Sequence, residues 1–183
     1  MKKLLFLFLV SDFLFSACKT SEDDIPVIEI VSLYVNDNET NYRDKIEDLP
    51  VLAIGDELKI DLKLTGKKMG LSRFVIQEKK AISQEMNGEK ESEINLFSMD
   101  IEYSKNEVSN ALGNPEEGTL AFKDEVYKTT VKVKFTIIAI AKEAAIVFYL
   151  SSKGNGSNEA TKMELNLQLS NNSIPTIEIT ELI

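Results

Sequence analysis

Residue types that carry much of enzyme and metal chemistry are missing, or nearly missing, from this chain. Its 183 residues include no His, no Trp and a single Cys, which is Cys18. Without His, neither a Ser-His-Asp triad nor a Cys-His pair can form, and no imidazole is present to bind a metal. One Cys supports neither a disulfide framework nor a thiolate zinc site.

Positive charge is also in short supply. Lys and Arg number 21 against 30 Asp and Glu, so the formal net charge is −9. Proteins that bind nucleic acid need clustered Lys and Arg to contact phosphates, and we therefore expect no nucleic-acid partner. The length predicts one domain, large enough to bury a hydrophobic core.

The N-terminal segment has the pattern of a secretory signal. Lys2 and Lys3 precede a short apolar run from Leu4 to Phe15, and Ser16 and Ala17 follow it. About 20 apolar residues are needed to cross a bilayer, so this run is too short for a permanent anchor. We predict that residues 1–17 are a cleaved signal peptide.

The small pair Ser16-Ala17 directly before Cys18 resembles the lipobox of bacterial lipoproteins, with Phe15 where that family prefers Leu. The resemblance implies cleavage before Cys18 and attachment of acyl chains to it, which makes the membrane a partner of the mature chain. Buried acyl chains of this kind hold a soluble domain on a membrane. Removing residues 1–17, with two Lys and one Asp, leaves 166 residues with a net charge of −10.

Residues 18–24 form an acidic tether. Ser21, Glu22, Asp23 and Asp24 resemble the surface-export signal of Bacteroidetes-type lipoproteins. That resemblance implies a lipid-anchored protein on the outer face of the outer membrane. The alternative is an ordinary solvated tether, because acidic runs are common.

From residue 25 onward the hydrophobic pattern has the two-residue period of β-strands. The clearest alternation lies in 58–64, 131–137 and 163–169, and further strands are predicted at 25–35, 73–79, 94–103 and 144–150. One apolar and one polar face favour antiparallel pairing. In the first strand the apolar residues change from even-numbered positions (Ile28, Ile30) to odd-numbered ones (Val31, Leu33, Val35). This change predicts a bulge or a switch between sheets near Val31. The segment 144–150 is apolar on both parities, as expected for a central strand.

These short strands with Gly-rich turns predict an all-β fold, an immunoglobulin-like antiparallel β-sandwich of about seven to nine strands over residues 25–172. The segments 78–87 and 106–112 contain helix-forming residues, and we interpret both as loops or single turns. The sequence Ile54-Gly55-Asp56-Glu57-Leu58, and the hairpin-like stretch from Ala145 to Asn155, resemble parts of bacterial surface Ig-like repeats.

The tail, residues 173–183, resembles the first strand. Residues 174–182 and 25–33 are identical at six of nine positions. The tail is then an edge strand of its own sheet, a remnant of a lost repeat, or a strand offered to another molecule by β-augmentation. The last interpretation implies self-association through residues 174–183.

Two groups of side chains are candidate binding sites. Asp37, Asn38, Glu39 and Asp44 lie in an oxygen-rich loop of the kind that calcium uses, although a solvated turn is the simpler interpretation. We expect no cofactor beyond this candidate calcium ion. Tyr42 and Tyr103 lie in polar, loop-like sequence and are the candidate rings for stacking on a glycan.

We expect no enzyme activity. Glu116-Glu117 and Asp124-Glu125 are adjacent carboxylate pairs, but neighbours on a strand point to opposite faces and form no acid–base pair. Two functions remain. One is a non-catalytic, lipid-anchored cell-surface adhesion or binding module for a glycan or protein. The alternative is an assembly protein whose C-terminal strand pairs with a neighbouring subunit.

Overall fold

The computed structural model describes residues 25–80, 95–141, 143–154 and 160–170. The predicted signal peptide, the acidic tether with Cys18 and Ser21–Asp24, and the tail 173–183 lie outside these residues. So does most of the segment 78–87.

Two four-stranded antiparallel sheets pack face to face as a β-sandwich. The strands are β1 (Val27–Val35), β2 (Glu57–Thr65), β3 (Leu71–Lys80), β4 (Phe97–Glu102), β5 (Thr119–Ala121), β6 (Lys128–Ile137), β7 (Ala144–Ser152) and β8 (Thr161–Leu167). The first sheet has the order β1-β2-β6-β4 and the second has the order β5-β3-β7-β8. Two short 3-10 turns lie at Ile46–Asp48 and Pro115–Glu117.

Alternation in the sequence translates directly into burial. In β2 the four aliphatic residues Leu58, Ile60, Leu62 and Leu64 are buried, while the charged residues between them are half-exposed. β6 alternates in the same way. One face of each strand therefore covers the core and the other faces water, as the sequence predicts.

The predicted irregularity in the first strand is confirmed. The register between β1 and β2 shifts between Ile30 and Ser32, which leaves Val31 as the extra residue of a β-bulge. Ile28 and Ile30 pack against the core before the bulge, and Leu33 and Val35 are buried after it. The bulge lets both apolar sets face inward although their parity differs.

A chain of phenylalanine rings connects the two sheets through the core. Phe97 and Phe135 of the first sheet meet edge to face at 5.9 Å, and Phe135 meets Phe148 of the second sheet at 6.5 Å. Phe148 stacks on Phe74 of β3 at 6.0 Å. Aromatic pairs at such distances add stability beyond their buried area.

The central position of β7 also agrees with the sequence. It lies between β3 and β8, and Ala144, Ala145, Ile146, Val147 and Phe148 are all buried. The three-residue strand β5 was not predicted. The predicted strand 163–169 ends at Leu167, and Leu169 instead forms a parallel bridge with Leu52. No helix among the described residues is long and apolar enough to cross a membrane.

The two long sides of the sandwich are closed differently. Where β1 lies over β8, the Thr161 hydroxyl donates to the Pro26 carbonyl at one end, and the Leu52–Leu169 bridge joins the other end. On the opposite side β4 of the first sheet faces β3 and β5 of the second, with the 3-10 turn Pro115–Glu117 between them. This second side carries a cavity.

Candidate functional site

The cavity, here called the β3–β4 cleft, lies between β4 and the part of β3 after Val75, which β5 does not pair, and has a volume of about 580 Å³. Its floor is apolar and consists of Ile76, Phe97, Met99, Phe135 and Ile146. Its rim is polar and consists of Gln77, Glu78, Asn95, Ser98, Glu116 and Glu117. An apolar floor with a few polar groups is the usual character of a ligand site, and the volume falls in the usual range.

Glu78 links the two strands that border the β3–β4 cleft. Its Oε2 accepts a hydrogen bond from the Leu96 N–H at 2.8 Å, and its Oε1 accepts one from the Phe97 N–H at 3.0 Å. A carboxylate on β3 therefore holds the start of β4. Because both oxygens are engaged, Glu78 acts as a structural acceptor at this edge.

Along an antiparallel strand the backbone N–H and C=O groups of successive residues point alternately to the two sides, and this determines which groups of β4 point away from β6. On β6, the Ile137 N–H donates to Asp56 on the β2 side, and the Ile138 N–H donates to Leu96 on the β4 side. The backbone groups of β4 that bond to β6 therefore belong to Ser98, Asp100 and Glu102, which lie opposite Thr136, Lys134 and Lys132.

It follows that Phe97, Met99 and Ile101 direct their N–H and C=O groups away from β6. The bond from Phe97 to Glu78 agrees with this direction. Among the described residues, no backbone hydrogen bond from a turn or loop meets Met99 or Ile101 on that side. The outer edge of β4 therefore presents a row of backbone donors and acceptors beside the cleft.

The 3-10 turn Pro115–Glu117 places two carboxylates at the cleft rim. It ends at Gly118, whose φ of 78° is left-handed and whose absent Cβ would lie 2.9 Å from the Ile76 carbonyl oxygen. The Ile76 N–H donates to the Gly118 carbonyl at 2.9 Å, which fixes the turn against β3. Glu116 and Glu117 are exposed there.

Two of the four candidate calcium residues form ion pairs with basic side chains. Asp37 forms an ion pair with Lys59 at 3.0 Å, and Asp44 forms one with Arg43 at 3.1 Å. These contacts raise the pKa of Lys59 through its hydrogen bond to Asp37, and the pKa of Arg43 through its hydrogen bond to Asp44.

The amide oxygen of Asn38 accepts the Thr40 N–H, and Glu39 is exposed. Within the ranges that the structure describes, no group of three or more acidic, His or Cys side chains is arranged to hold a metal ion.

The candidate stacking rings are largely withdrawn from solvent. Tyr42 is 9% exposed and belongs to the core, and Tyr103 is half-buried against it. The Tyr42 N–H donates to the Leu33 carbonyl at 2.8 Å, and the Asn41 side chain accepts the Leu33 N–H at 3.0 Å. These bonds draw the loop onto β1, so the ring of Tyr42 is not presented as an open platform. The exposed aromatic ring in the described part of the chain is Tyr127.

The carboxylate pairs remain apart from one another. Asp124 pairs with Lys153 at one end of the sandwich, and the hydrogen bond from Lys153 lowers the pKa of that carboxyl. Glu116 and Glu117 lie at the cleft instead. Sequence reasoning missed Glu78, because only the fold brings its side chain to the start of β4, 18 residues away.

A second carboxylate is held by two lysines on the outer face of the second sheet. Glu164 of β8 contacts Lys79 of β3 at 2.5 Å and Lys162 at 2.7 Å. These two hydrogen bonds lower its pKa to about 2, with the bond from Lys162 contributing most. The pair Lys79–Glu164 spans β7, on which Val147 lies opposite Glu164 and is buried.

Comparisons with known proteins give one family model and several distant structural likenesses. A model described as a domain of unknown function (DUF5035) matches residues 18–169. No curated protein matches the chain. A solved structure described as AvmM, which catalyses macrocyclization in alchivemycin A biosynthesis, is similar with a TM-score of 0.37 and 12% identity, over 80% of this chain and 93% of that one.

A family 123 glycoside hydrolase from Clostridium perfringens is similar with a TM-score of 0.40 and 15% identity. The likeness covers 82% of this chain and 28% of the hydrolase. At these TM-scores neither likeness bears on the activity of this chain.

Proposed function

Because this chain belongs to DUF5035, a family of unknown function, we propose its role from its own residues: a non-catalytic, lipid-anchored cell-surface protein whose β-sandwich binds another protein at the β3–β4 cleft. The observation that carries the proposal is the cleft itself, about 580 Å³ with an apolar floor and an acidic rim beside an open strand edge. Concave sites of this size and character are the default binding sites of proteins.

The chemistry of the cleft favours binding over catalysis. Both oxygens of Glu78 accept backbone hydrogen bonds, so this carboxylate is engaged in holding β4. Glu116 and Glu117 are neighbours on one short turn. A glycosidase needs two carboxyl groups on opposite sides of the scissile bond, with one free to donate a proton.

A protein ligand fits the site better than a glycan. Stacking on sugars uses exposed aromatic faces, whereas Phe97 and Phe135 in the cleft are 4% and 1% exposed. The open edge of β4 offers backbone hydrogen bonds, which an extended protein segment can accept and donate. Peptide and glycan arrays probed with the protein and with a Glu116→Lys, Glu117→Lys variant test this preference. Binding to glycans with no loss in the variant would refute the cleft as the site.

An immunoglobulin-like topology forms part of the proposal. The sheet orders β1-β2-β6-β4 and β3-β7-β8 correspond to the A-B-E-D and C-F-G arrangement of constant-type Ig domains. β5 is then an added short strand beside β3. Ig-like domains use their exposed strands and loops for binding, which agrees with a site at the sheet edge.

The anchor rests on the lipobox-like residues before Cys18, and the surface location rests on Ser21–Asp24. Labelling cells with a fatty-acid analogue should mark the wild-type protein and not a Cys18→Ala variant. Protease treatment of intact cells should cut the wild type, and cut less of a variant with Glu22, Asp23 and Asp24 changed to Ala. Labelling of the Cys18→Ala variant would refute the anchor, and equal cutting would refute the export signal.

The second candidate function is assembly through the tail. Its support is that β1 is an edge strand, with Val27 and Val31 exposed by 40% and 36%. A tail that resembles 25–33 has the sequence to pair as that strand does. Light scattering tests this function on the chain from Lys19, with and without residues 173–183. Only assembly through the tail predicts an oligomer that the truncation dissociates.

A further inference from the structure

We propose that the outer edge of β4 takes an extended segment with alternating apolar and basic side chains, which adds as a fifth strand to the first sheet. This inference names the partner class of the cleft and so rests on the proposed function. The partner is recognised by chemistry alone, as a strand-forming peptide in which every second residue is Lys or Arg.

The backbone of β4 supplies the hydrogen bonds for such an addition. The outward groups are the carbonyl of Phe97 and both the N–H and the C=O of Met99 and Ile101, by the alternation derived above. An incoming strand opposite these residues would satisfy them. Phe97, Met99 and Ile101 carry side chains that pack toward the core, so the added strand extends the same apolar layer.

The side chains of β4 select the charge of the partner. On its solvent face β4 carries Ser98, Asp100 and Glu102, all exposed. On an added antiparallel strand, residues opposite Ser98 and Asp100 form the closely spaced, non-hydrogen-bonded pairs, in which side chains approach most nearly. A lysine there meets a carboxylate, and its apolar neighbours point into the β3–β4 cleft.

The fold already contains this pairing on the other side of β4. The neighbour β6 reads Val131-Lys132-Val133-Lys134-Phe135, and its register sets Lys134 opposite Asp100 and Lys132 opposite Glu102. A partner segment with the pattern of β6 would place its lysines opposite the same carboxylates on the outer edge of β4. Glu116 and Glu117 at the cleft rim extend the negative field toward the same partner.

Charge also argues against two alternative occupants from the same chain. The tail 174–182 carries Glu178 and Glu181 and no basic residue. The connector 81–94 carries four Glu and one Lys. Like charges directly opposite each other on a sheet are destabilising, so both segments suit this edge less than a basic strand does.

A labelled peptide with the sequence of residues 131–137, Val-Lys-Val-Lys-Phe-Thr-Ile, is the probe, and fluorescence anisotropy against the chain from Lys19 is the measurement. That chain keeps every core residue, since the core lies between Leu33 and Leu167. The double variant Asp100→Lys, Glu102→Lys should bind this peptide about tenfold more weakly, because two attractive cross-strand pairs become repulsive. A peptide with both lysines replaced by Glu should show the reverse preference.

Strand addition is separated from simple ion pairing by the backbone. Met99→Pro removes the outward backbone N–H of residue 99. Met99→Ala shortens the side chain but keeps this N–H, so only the proline variant should lose most of the binding. On the peptide, N-methylation of one alternate set of amides should abolish binding and methylation of the other set should not. Equal effects of the two sets, or no charge reversal between the two peptides, overturns the proposal.

The outcome is independent of the anchor. Peptide binding is measured without acyl chains, so a failure of Cys18 labelling would leave it intact, and a loss of peptide binding would leave labelling intact. If Met99→Pro unfolds the domain, the two peptides of opposite charge and the two N-methylated sets, which leave the protein unchanged, still decide the question.

Discussion

The carboxylate of Glu78 should contribute measurably to stability, because it joins the two sheets at the cleft. It accepts the Leu96 and Phe97 N–H groups at 2.8 and 3.0 Å. A hydrogen bond to a charged group contributes about 1.5–3 kcal/mol net. Water replaces part of this at an exposed side chain, so we expect Glu78→Ala to lower the free energy of unfolding by about 2–3 kcal/mol. Glu78→Gln keeps one carbonyl acceptor and should cost about 1 kcal/mol.

Urea denaturation of the chain from Lys19 measures these differences. With an m-value of about 2 kcal/mol/M, the alanine variant should unfold at a urea concentration roughly 1 M lower than the wild type. Gln77→Ala is the matched control, because Gln77 is the exposed neighbour and accepts no bond from β4. Amide exchange at Leu96 and Phe97 should quicken in Glu78→Ala. Equal midpoints for Glu78→Ala and Gln77→Ala would refute the role assigned to Glu78.

Three further perturbations have defined outcomes. Phe148→Ala removes a fully buried ring and should cost about 3–5 kcal/mol in urea denaturation, whereas Tyr127→Ala, at a ring 50% exposed, should change stability little. Gly118→Ala should cost about 1–3 kcal/mol, because φ is 78° and the added Cβ meets the Ile76 carbonyl; no change would contradict that geometry. The pKa of Glu164 is lowered from 4.5 to about 2, so its stabilisation is present above pH 4.5 and is lost as the pH falls toward 2. Denaturation across that window should show the wild type losing its advantage over Glu164→Gln, and a constant gap would contradict the assignment.

Most of the sheet could be predicted because its strands carry their pattern locally. β2 and β6 alternate over their whole length, and the parity change at Val31 appears in the sequence as it does in the register. β5 could not be predicted in this way. It has three residues, and its place beside β3 depends on the turn that ends at Gly118.

The site could not be predicted, because it is assembled from residues that the sequence separates widely. Gln77 and Glu78, Ser98 and Met99, and Glu116 meet only when β4 becomes an edge of the first sheet and lies across from the end of β3 that β5 does not pair. Tyr42 shows the converse. Its neighbours in the sequence are polar, but backbone bonds to Leu33 draw it into the core.

The pairing of β1 with β2 has a mechanical consequence. β1 follows Ile25, and its ladder with β2 runs from Val27↔Thr65 to Val35↔Leu58. A pull on the preceding residues, resisted at the far end of the sandwich, loads these rungs in shear, so that they share the force instead of opening one after another. Sliding β1 would also break the bonds of Leu33 to Asn41 and Tyr42. The β1–β2 ladder therefore resists tension applied at the N-terminal end of β1.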